Sequence, residues 1–103
     1  MRNIFDDIPE DLHREVVESL VDNDKVTIER IISKGHTSPD SGWYDQDSNE
    51  WVIVLKGAAV LSFAEVSTVK LKAGDHINIS AHEKHRVSWT DPDIETIWLA
   101  IHY

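Results

Sequence analysis

The stretch YDQDSNEWVIVLKG, Tyr44–Gly57, decides how the rest of the chain is read. Its first half is polar, and Trp51–Leu55 is an unbroken apolar run closed by Lys56 and Gly57. A short apolar run rich in β-branched residues and ended by glycine reads as a strand. Along an extended chain, residues of equal parity face one side. Tyr44, Gln46, Glu50, Val52 and Val54 share parity. If Val52 and Val54 fill a core, Glu50 points into it as well. A buried carboxylate is costly unless it is paired, protonated or bound to a cation. Glu50 is therefore the first candidate for a functional group.

Working outward, AAVLSF follows Gly57 after almost no loop, which predicts a tight hairpin. STVKL, HINIS, HRVSW and ETIWLAIHY follow, separated by the turns KAGD and TDPD. In HRVSW the alternation puts His85, Val87 and Trp89 on one face. Upstream, KVTIERIIS alternates and reads as another strand. Many short strands with turns between them predict an all-β sandwich or small barrel. The start differs. In DDIPEDLHREVVESLV, Asp7 can cap a helix, Pro9 suits its first turn, and Glu10 and Asp11 suit its positive end. Ile8, Leu12, Val16 and Leu20 recur at helical spacing. This predicts a short N-terminal α-helix, an accessory extension over residues 1–24, before a barrel over 25–103.

The 103 residues make one domain, 1–103, large enough for a core. Without cysteine there is no disulfide framework, no thiolate metal site and no thiol catalysis. Ten basic and nineteen acidic side chains leave a net charge of −9, which repels nucleic-acid backbones. The acidic start lacks the apolar core of a signal peptide, and no stretch has the apolar length of a membrane span. A cytoplasmic protein with no nucleic-acid or membrane partner is the expectation. Gly-x-Ser-x-Gly and His-Glu-x-x-His are absent, no glycine-rich loop cradles phosphate, and no second acid stands beside Glu50 at glycosidase spacing.

Two spacings resemble a known superfamily. Glu50 is followed by six residues and Gly57; Gly74 is followed by five residues, SAH, EK and then His85. With WYDQ before Glu50 and HRVSWTDP and WLAIHY after, the pattern resembles small single-domain, RmlC-like proteins of the cupin superfamily. It implies a jelly-roll β-barrel over roughly residues 25–103. The positions that carry two histidines in the first cupin motif are Tyr44 and Gln46 here. Ser80 and His82 replace the proline and glycine of the second. Of the usual three-histidine, one-glutamate metal site, Glu50 and His85 remain, and the resemblance brings them face to face.

The resemblance implies a barrel-mouth pocket for a small molecule. Gln46, Glu50 and His85 are its candidate metal ligands; carboxylate, amide and imidazole suit Fe, Mn, Ni or Zn. Tyr44, Trp43, His82 and His36 are candidate pocket residues, Trp43 through its flat apolar face. No residue stands out as catalytic, and no organic cofactor is implied. One reading is a metal-dependent enzyme acting on a small molecule. The alternative is a non-catalytic binding or sensing cupin with a degenerate metal site. His76 and His102 alternate with apolar neighbours and read as structural; His13 reads as solvent-facing. A homodimer is expected by analogy and because pairing covers a bare sheet edge.

Overall fold

The computed structural model describes residues 1–64 and 67–103. Among the described residues eight strands follow in chain order: β1 (Val16–Asp22), β2 (Thr27–Ser33), β3 (Glu50–Lys56), β4 (Ala58–Phe63), β5 (Ser67–Lys72), β6 (His76–Ile79), β7 (His85–Thr90) and β8 (Thr96–His102). They form a five-stranded sheet, β1-β2-β8-β3-β6, and a three-stranded sheet, β5-β4-β7. Every pairing is antiparallel. The core lies between the sheets. Val52 and Val54 of β3, Ile79 of β6 and Trp98 and Ala100 of β8 meet Ala59 and Leu61 of β4 and Leu71 of β5. The two-residue period of β3 is kept, so Glu50 shares the inner side of Val52 and Val54. No helix among the described residues is long and apolar enough to cross a membrane.

Three expectations are corrected. The N-terminal helix does not form. Residues 1–15 are irregular, and Val16–Asp22 extends as β1 along β2, with Val17 opposite Ile31 and Glu18 opposite Arg30. Pairing β1 with β2 satisfies a row of backbone groups that an isolated short helix would leave bare at the sheet edge, and β-branched Val16, Val17 and Val21 suit a strand. Arg30 fixes the arrangement. Its side chain is 2% exposed, and Nη1 donates to the carbonyls of Ile4, at 3.0 Å, and Asp6, at 2.6 Å. Its Nη2 donates to Glu18. Asp7 does not cap a helix; its φ is 57°, in the left-handed region.

The hairpin expected at Gly57 is not one either. β3 and β4 lie in different sheets, and Gly57 is the corner between them. Its φ is +87°, and a Cβ there would stand 2.5 Å from Thr96 Oγ1. Only glycine lets β8 come so close. The Thr96 hydroxyl then ties the start of β4 to β8, donating to the Ala58 carbonyl at 3.1 Å.

Trp89 does not share the inner side with His85 and Val87. A bulge in β7 between the pairs Val60–Trp89 and Leu61–Val87 inserts Ser88. The extra residue reverses the alternation, leaving Trp89 exposed and burying Thr90.

Candidate functional site

His85 is the first residue of β7 and is 4% exposed. Tyr44 pairs with it through the backbone, the Tyr44 N–H donating to the His85 carbonyl at 2.8 Å and the His85 N–H to the Tyr44 carbonyl at 3.2 Å. This bridge lays the segment before β3 along β7. The His85 ring lies against Tyr44 and Phe63, with centroids 5.7 and 6.2 Å away. Its Nδ1 is 2.8 Å from the Glu83 carbonyl. A carbonyl only accepts, so Nδ1 carries a proton. Nε2 faces Glu50 Oε1 at 3.3 Å, and the Glu50 side chain is only 12% exposed. Burial disfavours the imidazolium. The hydrogen bond to Glu50, the Glu83 carbonyl and the Glu50 charge outweigh it, so the pKa of His85 is raised above the ordinary histidine value.

A second imidazole joins this pair. Glu50 is in register with His102 of β8, and Glu29 of β2 is in register with Ala100, diagonal to His102. His102 Nε2 is 3.0 Å from Glu29 Oε1 and 3.8 Å from Glu50 Oε2. The order Glu29, His102, Glu50, His85 thus runs from the five-stranded sheet across to the smaller one. Beyond it, Ser33 Oγ donates to Glu15 Oε2 at 2.7 Å.

Glu15, Glu29, Glu50, His85 and His102 line a cavity of about 210 Å³ between the sheets. Its apolar wall includes Ile31, Val52, Leu61, Ile79, Val87 and Trp98. Trp98 is 4% exposed, and its Nε1 has no hydrogen-bond partner among the described residues. Tyr44 and Gln46 also line the cavity, with Thr37 and Ser38 from the loop after β2 and Glu15 and Val17 from the N-terminal segment.

Trp43, His36 and His82 do not line it. Trp43 lies against the Arg86 guanidinium, 5.6 Å from the ring centroid. His36 turns back along its own loop, where Nδ1 accepts from the Lys34 N–H at 2.8 Å. His82, at φ 64°, points outward, with Nδ1 2.7 Å from Asp45 Oδ1. Its backbone N–H donates to the Gln46 carbonyl at 2.8 Å, so it holds the loop of Gln46 in place.

His102, Glu29 and Glu15 were not candidates on sequence. His102 had a legible signal, since it shares parity with Trp98 and Ala100. Glu15 had none, because its place depends on β1 being a strand.

The donor set falls short of a metal centre as it is arranged. Both Nε2 atoms face carboxylate oxygens across hydrogen-bond or ion-pair distances rather than a shared point. Among the described residues no group of three or more histidine, aspartate or glutamate side chains could hold an ion. Beyond Glu50 and His85, the Gln46 amide is a weak ligand, and His102 Nε2 is turned to Glu29 Oε1 at 3.0 Å. The residues as arranged do not fit a resident metal.

Two facing antiparallel sheets enclosing a cavity lined by Glu50 and His85 define a jelly-roll barrel of the cupin class. The chain matches the Cupin domain family over residues 29–102, and it belongs to that family. Among solved structures it is similar to a Ralstonia eutropha JMP134 protein assigned provisionally as a mannose-6-phosphate isomerase. That likeness has 38% identity and a TM-score of 0.94, covering 99% of this chain and 95% of the other. It shares its fold with an RmlC-like cupin of Methanocaldococcus jannaschii that has a double-stranded β-helix fold, at 20% identity and a TM-score of 0.73, covering 93% and 85%. It also shares it with a cupin superfamily protein of Desulfitobacterium hafniense DCB-2, at 19% identity and a TM-score of 0.76, covering 92% and 82%. No curated protein gives a significant match.

Proposed function

We propose that the chain is a small-molecule-binding cupin whose ligand is anchored by Glu50 and His85 without a resident metal ion. The observation that carries this reading is the buried contact between His85 Nε2 and Glu50 Oε1 at 3.3 Å, inside a cavity with an apolar wall. With Nδ1 committed to the Glu83 carbonyl, Nε2 is the one imidazole nitrogen that can meet a ligand. Glu50 accepts a hydrogen bond, and His85 donates one when charged. A proton can pass between Nε2 and a bound group within hydrogen-bond reach, so the same pair would serve general acid–base chemistry. Small cavities with a few convergent polar groups and a shifted titrating residue are the common form of ligand site.

The reading in which Gln46, Glu50 and His85 hold Fe, Mn, Ni or Zn has only two strong donors behind it. The sugar-phosphate isomerase assignment of the Ralstonia relative suggests another ligand. A phosphate is usually met by arginine, lysine or a cluster of backbone N–H groups, and the cavity lining contains no lysine or arginine among the described residues. We further infer that the chain pairs as a homodimer.

The test is a thermal-shift screen of small metabolites on protein treated with chelator, run beside Glu50→Gln and His85→Gln. Stabilisers of the parent should lose their effect in both variants. Stoichiometric metal in the untreated protein that His85→Gln removes would restore the metal reading.

A further inference from the structure

We propose that the cavity selects a small organic cation, a protonated amine on a compact apolar body, over a neutral or phosphorylated sugar. This rests on the reading of the cavity as the ligand site. The first observation is charge. Glu15, Glu29 and Glu50 line the cavity with His85 and His102, and no lysine or arginine does so among the described residues. With the three carboxylates ionised, the lining stays negative even when both imidazoles are charged. The chain's net charge of −9 adds to the same field.

The second observation is the nature of the wall. Ile31, Val52 and Val87 suit an apolar body, and the aromatic residues Trp98 and Tyr44 also line the cavity.

The experiment is calorimetric titration of chelator-treated protein with cyclohexylammonium, with cyclohexanol as its neutral match in shape, and with mannose 6-phosphate. Cyclohexylammonium should bind at least tenfold more tightly than cyclohexanol. Glu29→Gln should weaken it at least tenfold. Glu95→Gln, which alters a carboxylate bonded to Lys56 and outside the cavity lining, should leave it unchanged. Equal binding by cyclohexanol, or binding by mannose 6-phosphate that His85→Gln abolishes, overturns the choice of cation and leaves the cavity as the ligand site. Amine binding that Glu29→Gln does not weaken, or that appears only with added divalent metal, also overturns it. If none of the three binds, the cation proposal falls, and the ligand-site reading is decided separately by the metabolite screen with Glu50→Gln and His85→Gln.

Discussion

Glu50 favours the charged form of His85, and that gives the molecule a pH dependence of known sign. Folding raises the His85 pKa above its ordinary value of about 6.5, so the folded state holds this proton more tightly than the unfolded chain does. The contribution to stability is fully present below about pH 6.5 and is lost as the pH rises through the folded-state value. The melting temperature of the parent should therefore fall across that window, and Glu50→Gln should flatten the fall. Parallel profiles for parent and variant would show that the pair does not couple. Glu50 was legible from parity with Val52 and Val54, and His85 from its spacing after Gly74. Their neighbours were not. Glu29 and His102 are far apart in sequence and meet only because β8 lies between β2 and β3, an order that no local pattern encodes.

The strands were legible wherever a two-residue period met a clear turn, from β2 through β8. Periodicity failed where a tertiary partner overruled it. The stripe Ile8, Leu12, Val16 and Leu20 fits a helix, yet the open side of β2 and the buried Arg30 draw Val16–Asp22 into a strand. Arg30→Ala leaves two carbonyls and Glu18 without their donor. Hydrogen bonds to charged groups are each worth about 1.5–3 kcal/mol, and the partial exposure of Glu18 moderates the loss. Urea denaturation should show about 2 kcal/mol of destabilisation; a change under about 0.5 kcal/mol, typical of a neutral surface site, would mean the N-terminal segment is not held there. Since Glu15 and Val17 line the cavity, this segment is part of the site's wall rather than a detachable accessory. At the corner between sheets, Gly57→Ala would strain a φ of +87° and push a methyl into Thr96. Its expected cost is about 2 kcal/mol or more, read from the same denaturation curves. A cost under about 0.5 kcal/mol would show that β3 and β8 can move apart.

For the whole molecule, the fold class followed from many short strands and two motif spacings, while the sheet order did not. A turn signal such as Gly57 marks where the chain bends but not which sheet it enters. The outer strand β1 leaves Val17, Leu20 and Val21 exposed beside an unpaired edge. Covering that edge is the physical reason to expect a dimer. Sedimentation at micromolar concentration should give twice the chain mass, and a stable monomer would remove the expectation. The site depends on the protonation of His85 beside Glu50, and NMR titration of the His85 ring in chelator-treated protein reads it directly. The expected result is a His85 pKa above about 6.5 that drops in Glu50→Gln, because burial then acts with less opposition. A value at or below about 6.5 that Glu50→Gln leaves unchanged would contradict the coupled pair on which the proposed ligand site rests.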